Sequence, residues 1–251
     1  MFTKVDSMRE QLQLLRQRNQ IHPDTENSIR EKFIVDWTYH SNAIEGNSLS
    51  LMETRVVLES GMTIGGKPLK DHLEAIDHKE AILYLEELVQ AEEKLSEFQI
   101  KQIHAIVLNR IRPNDAGRYR SVPVTVGDHL PPQPWEVSIQ MEQLIQKYYG
   151  EWSTLHPLEQ VAYLHCDFVR IHPFIDGNGR TARLITNLEL MKRGYPPIIL
   201  PVEERVAYYE ALQKYDDTGN PDDFLGFLTQ LAEKSITFYL TVCSGGSGSH
   251  L

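Results

Sequence analysis

Between positions 172 and 183 the chain reads HPFIDGNGRTAR. Twelve residues thus collect His172, Asp176, Gly177 and Gly179 on either side of Asn178, and two arginines, Arg180 and Arg183. Pro173 disfavours helical backbone at His172. An apolar helical pattern resumes with Leu184, Ile185, Leu188 and Met191. The stretch therefore reads as a tight loop entering a helix near Asn178 or Gly179. At a helix start the first N–H groups lack partners and the dipole is positive, so an anion is favoured there. Glycines let a phosphate approach the backbone closely. Arg180 and Arg183 are three apart and reach the same side. Two guanidiniums beside free amides suit a polyphosphate. A carboxylate at Asp176 suits Mg²⁺ shared with phosphates, and an imidazole at His172 can take a proton near neutral pH. This chemistry is phosphoryl or nucleotidyl transfer to a hydroxyl. The same residues also suit a polar turn. Asp-Gly and Asn-Gly are ordinary turn dipeptides, Asp176 and Arg180 could form a solvated ion pair, and His172 could be structural. On the loop alone both readings stand.

Competing motifs fail. No GxxxxGK[ST] occurs, so the loop is not a Walker loop. As an EF-hand, Thr181 would replace the required glycine and Asn187 the terminal glutamate. No HExxH or CxxC pattern offers a zinc site.

The elements that must position this loop are mostly helices. Ile29, Phe33 and Trp37 recur at i, i+4 spacing between Asp24 and about Glu45, with Gly46 as a stop. Ser50 and Glu53 make a capping-box pattern for a short helix ended by Gly61. Residues 71–92 predict a long amphipathic helix with Leu73, Ile76, Ala81, Leu85 and Leu88 near one face. Ser96 and Gln99 make a second capping box. Further helices are expected over 134–149, 157–171, 178–193, 202–216 and 221–242, and an N-terminal one over Val5–Gln20. That last helix, with Leu12, Leu14 and Leu15, suits either a dimer contact or packing on its own domain. The alternating run VPVTV, within the turn-rich stretch 111–134, is the one strand candidate, expected as one arm of a hairpin. The expected fold is all-α, mainly a helical bundle with one small β element.

With 251 residues, 41% of them hydrophobic, the chain can bury a large core. Its formal net charge of −10 argues against broad nucleic-acid binding. No run suggests a membrane span or signal peptide, so no membrane partner and a cytoplasmic location are expected. Two distant cysteines, Cys166 and Cys243, read as reduced thiols. The final Gly/Ser-rich stretch, 243–251, is expected as a flexible tail.

At this point residues 172–183 resemble the signature of the Fic family, HxFx(D/E)GNGRxxR, matching it at His172, Phe174, Asp176, Gly177, Asn178, Gly179, Arg180 and Arg183. The likeness extends over roughly residues 35–240, including AGRYRSVPVTVGDHLPP and HPLEQVAYLHCDFVR. It implies a Fic-type bundle that transfers AMP from ATP to a protein Ser, Thr or Tyr hydroxyl. His172 would be the base and Asp176 the Mg²⁺ ligand. Gly177, Asn178 and Gly179 would form the anion hole, and Arg180 and Arg183 would grip phosphates. VPVTVGDHLPP resembles the family's flap, whose residues Val124, Thr125, Val126 and Gly127 would line the nucleotide and whose edge would hold a target protein segment. Tyr208 and Tyr209 correspond to residues near the adenine. Relatives often carry asparagine near position 216, whereas this chain has Asp216, which leaves the base contact open.

SNAIEGN, residues 41–47, resembles the family's inhibitory motif (S/T)xxxE(G/N). Ser41 and Glu45 share one helix face. The resemblance implies that Glu45 pairs with Arg183 and denies it to the γ-phosphate. The implied organisation is an N-terminal helical region over 1–95 carrying this motif, a catalytic core over 96–242, and the tail. Three functions follow: a self-inhibited AMP-transferase acting on an unknown protein or on itself, an enzyme that removes AMP through the same site, or a nucleotide-sensing interaction module. A homodimer is a further expectation from the family.

Overall fold

The segment Asn178–Lys192 is a 15-residue helix in which every position from Arg180 to Leu190 is buried. A helix enclosed on all sides is the axis of a bundle rather than a surface element. The computed structural model, which describes residues 2–127 and 129–245, arranges the chain around it. The α-helices are α1 (Thr3–Gln17), α2 (Pro23–Ile44), α3 (Leu51–Ser60), α4 (Leu69–Gln90), α5 (Glu97–Val107), α6 (Val137–Tyr149), α7 (Pro157–Ile171), α8 (Asn178–Lys192), α9 (Arg205–Thr218) and α10 (Asp222–Gly245). Helices α2, α4, α5 and α7 pack against α8, and α1 lies along α10. Among the described residues no helix is long and apolar enough to cross a membrane.

Two hydrophobic cores flank the α7–α8 pair. One joins α1, α2, α9 and α10 through Leu12, Phe33, Tyr208, Phe224 and Ile236. The other joins α4, α5, α6, α7 and α8 through Leu85, Ile100, Met141, Phe168 and Leu188. Both draw on residues before and after position 95. Leu12 of α1 is fully buried while Leu14 stays 48% exposed, so the helix turns its apolar edge to its own domain.

Local signals act largely where the sequence put them. The Ser50–Glu53 box forms in both directions, and Gly61 ends α3 in the left-handed region. At Ser96 the expected box is altered: its hydroxyl donates to Gln99 Oε1, and no side chain caps α5. Helix α4 also departs from the simple amphipathic reading. Its first half buries Asp71, Glu74, Asp77 and His78, because that face meets α2 and α8 rather than water.

The strand expectation for VPVTV is corrected. The described residues contain one isolated antiparallel bridge, Val126 to His129, with N···O distances of 3.1 and 3.0 Å. Pro123 on one side and Pro131 and Pro132 on the other lack N–H donors, so the ladder does not extend past that rung. The tail expectation is corrected at its start, since α10 continues through Gly245. Its remainder, 246–251, lies outside the described residues.

Candidate active site

Helix α7 ends at His172, which takes the left-handed conformation with φ 48° and ψ 60°. This uncommon backbone turns the chain sharply into the loop 173–177. Asn178 locks the loop from within: its Oδ1 accepts from the Phe174 N–H at 3.0 Å and its Nδ2 donates to the Phe174 carbonyl at 2.8 Å. Its side chain therefore shapes the loop and is not free to touch a ligand. Gly177 has φ 76°, a backbone that side chains rarely adopt, and the His104 ring lies 3.4 Å from where a Cβ would be, in van der Waals contact. His104 accepts from Gly117 N–H through Nδ1 and donates from Nε2 to the Asp176 carbonyl at 2.9 Å. The ring also stacks on Phe174 at 3.6 Å. Burial lowers the pKa of His104 to about 4, which keeps this brace neutral.

The loop leaves the first N–H groups of α8 pointing outward without helical partners. Of the two arginines beside them, Arg183 lines the same cavity as Gly179, and Arg180 and Asp176 lie outside its lining. Arg180, 2% exposed, reaches Glu74 at 3.2 Å and Asp176 Oδ1 at 3.4 Å. Arg183, 6% exposed, donates from Nε to Ser41 Oγ at 3.0 Å and from Nη2 to the Ser41 carbonyl at 2.8 Å and Glu45 Oε1 at 2.7 Å. Its Nη1 is buried with no partner among the described residues. Glu45 lies directly over Gly179: a Cβ on that glycine would fall 2.3 Å from Glu45 Oε1. The carboxylate thus occupies the space in front of the helix start, where an anion would sit.

His172 is largely buried, and burial lowers its pKa to about 4. The charges of Arg120 and His129 act in the same direction, while the Val169 carbonyl and Glu45 oppose them. The imidazole is therefore an unprotonated base at neutral pH. It lines a cavity of about 390 Å³ together with Glu45, Gly179, Arg183, Tyr208, Tyr209 and Asp216, and with Val126 and Gly127 of the 122–132 segment. That volume suits a small organic ligand. Val124 and Thr125 are outside the lining. Tyr208 is buried, its hydroxyl 3.0 Å from His165 Nε2, whereas Tyr209 is 44% exposed at the cavity edge. Asp216 lies 3.4 Å from His129 Nδ1, and burial raises its pKa.

Asp176 is the candidate metal ligand. Its Oδ1 accepts from Gly177 N–H at 2.6 Å and faces Arg180, and it leaves Oδ2 with no hydrogen bond among the described residues. Among those residues no group of three His, Cys, Asp or Glu side chains could hold a metal. One free hard oxygen fits Mg²⁺ where phosphates and water supply the other ligands.

This arrangement has counterparts in known proteins. A model of the Fic/DOC family matches residues 94–190. A solved structure of Fic-1 from C. elegans superposes with a TM-score of 0.85 and 37% identity, covering 96% of this chain and 71% of its own. This chain belongs to the Fic/DOC family. A Fic domain-containing signaling protein from Bacteroides thetaiotaomicron also superposes at 0.85, with 28% identity over 97% of this chain and 98% of its own. Among curated relatives, the protein adenylyltransferase Fic of Nematostella vectensis is 41% identical over 209 residues, which is 80% of this chain and 48% of that protein. The chain thus spans about half the length of that relative.

The Fic signature exposed the loop but not its supports. Glu74, His104 and Arg120 hold Arg180, the Asp176 carbonyl and the His172 carbonyl. For Glu74 a signal existed, since Asp71, Glu74, Asp77 and His78 share one face of α4 at helical spacing. His104 and Arg120 carry no local signal.

Proposed function

We propose that this chain is a Mg²⁺-dependent protein adenylyltransferase that moves AMP from ATP to a Ser, Thr or Tyr hydroxyl, and that Glu45 holds it inhibited. The observation that carries this reading is one cavity in which the neutral His172, the start of α8 at Gly179, and Arg183 meet. In the proposed reaction His172 takes the proton of the target hydroxyl. The oxygen bonds to the α-phosphorus, and the bond to pyrophosphate breaks. The first amides of α8 and the guanidiniums of Arg180 and Arg183 stabilise the phosphate charge. Mg²⁺, held by Asp176 and the phosphates, would neutralise charge on the leaving pyrophosphate.

Binding of ATP requires Arg183 to release Glu45, which gives the switch its basis. The target, another protein or a second copy of this chain, would lie along the 122–132 flap by backbone pairing. Tyr209 and Asp216 would flank the base. A cytoplasmic site of action belongs to the same proposal and suits the two unpaired cysteines. Residues 96–242 would form the catalytic core and 1–95 its inhibitory region.

A second reading rests on Glu45 lining the same cavity as His172. There a carboxylate could orient water, and the enzyme would remove AMP from a modified protein. The two are separated by mass spectrometry. Gain of one AMP on Glu45→Gly with ATP and Mg²⁺ supports transfer. Loss of AMP from a pre-modified protein, abolished by Glu45→Gly, supports removal. Neither event in any form overturns both.

A further inference from the structure

Arg120 is 5% exposed, yet no carboxylate among the described residues pairs with it. A buried guanidinium without a counter-ion is costly unless its donors are otherwise satisfied. Here they go to carbonyls. Nε donates to the His172 carbonyl at 2.8 Å, and Nη2 reaches the Ile171 carbonyl at 3.5 Å. Nη1 donates to the Val122 carbonyl at 3.3 Å, and Nη2 also donates to the Pro132 carbonyl. The Arg120 backbone N–H adds the Pro173 carbonyl at 2.9 Å.

These acceptors fall into two groups. Ile171, His172 and Pro173 are the end of α7 and the turn after it, where carbonyls lose their helical partners and a positive charge is favoured by the dipole. Val122 and Pro132 are the two feet of the segment that carries Val126, Gly127 and His129 over the cavity. We propose that Arg120 is a positioning residue that pins the left-handed backbone of His172 and both feet of the flap to a single guanidinium. The base and the wall that covers the substrate then keep a fixed separation. The planar fork suits this, because its five donors diverge in one plane; a lysine ammonium has the charge but not the reach in several directions.

The proposal rests on the reading of His172 as the base, but its test does not need turnover. In the free wild-type protein, the Nε–H of Arg120 is expected to exchange with solvent as slowly as the amides of α7; fast exchange overturns the clamp without any substitution. Two variants divide geometry from charge. In both Arg120→Lys and Arg120→Met the amides of Val126 and His129 should exchange roughly tenfold faster, the effect of losing one hydrogen bond. The His172 pKa should rise above about 4 in Arg120→Met only, while staying depressed by burial, since Arg120 is one of the charges holding it down. The near-ultraviolet circular dichroism of both variants should stay native and thereby report an intact fold. Native flap exchange and a native His172 titration in Arg120→Met overturn the proposal. Where transfer is measurable, in the Glu45→Gly background, Arg120→Lys should lower kcat by about 10²-fold with little change in KM for ATP. Absence of transfer in that background would count against the proposed function, and leave the exchange and titration results to decide the role of Arg120.

Discussion

Replacing Glu45 by glycine should tighten ATP binding, and the structure sets the scale. The Glu45–Arg183 contact is a charge-assisted hydrogen bond of 2.7 Å, with Arg183 buried and the Glu45 side chain 32% exposed. A hydrogen bond to a charged group contributes about 1.5–3 kcal/mol. Solvent around a partly exposed carboxylate reduces that, to roughly 1–2 kcal/mol. Since ~1.4 kcal/mol is tenfold, ATP should bind roughly 5- to 30-fold more tightly once Arg183 need not break this pair. Removing the negative charge from beside Gly179 acts in the same direction, so the range is a lower bound. The Ser41 hydroxyl and carbonyl still hold Arg183 in the variant. The stability loss should therefore stay near the same ~1–2 kcal/mol, or a Tm decrease of about 2–8 °C. Calorimetric titration with an ATP analogue that cannot be cleaved between the α- and β-phosphates measures the affinity. Glu45→Gln, which keeps the shape and loses the charge, should fall between. An affinity for Glu45→Gly within twofold of wild type would refute the reasoning.

Gly179→Ala should fold, since its Cβ meets the movable end of Glu45 rather than backbone. It should still fail to bind ATP, even combined with Glu45→Gly, because the methyl group occupies the anion position; titration of the double variant checks this. Glu74→Ala leaves the buried Arg180 guanidinium with only Asp176 at 3.4 Å. The loss should be about 3 kcal/mol, visible as a Tm lower by roughly 6–12 °C, whereas Glu74→Gln should recover part of it. His104, His165 and His172 all have pKa values depressed in the folded protein, to about 4, 3 and 4. The unfolded chain binds their protons first, so stability falls as pH drops from about 6.5 toward 4. Each histidine contributes a slope of about 1.4 kcal/mol per pH unit. Chemical denaturation across that range should show the steepening, and His165→Gln should lessen it.

The helices and the GNGR loop were legible because their signals are local. Periodicity, caps and a signature of twelve residues each lie within a few turns of chain. The pairing of Glu45 with Arg183 carries no local signal beyond the family resemblance, since 138 residues separate the partners. The supports were beyond local reading for the same reason. Glu74 acts on Arg180 across 106 residues, and His104 on Asp176 across 72. VPVTV misled because alternation reports a pleated surface but says nothing about a partner, and the prolines on both sides of the turn deny it one. In α4 the apolar spacing was real from Ala81 onward. Before it, the polar face is the buried one, because its side chains find partners inside the protein: Asp71 on Ser48, Glu74 on Arg180, Asp77 on Arg110 and His78 on Thr38.

Under the proposed function, His172 is the base for AMP transfer in a site closed by Glu45. Incubation with α-labelled ATP and Mg²⁺ tests it most directly, comparing wild type, Glu45→Gly, and Glu45→Gly combined with His172→Ala. Covalent label on Glu45→Gly alone is the expected result. Label that survives His172→Ala, or none on Glu45→Gly, would contradict it.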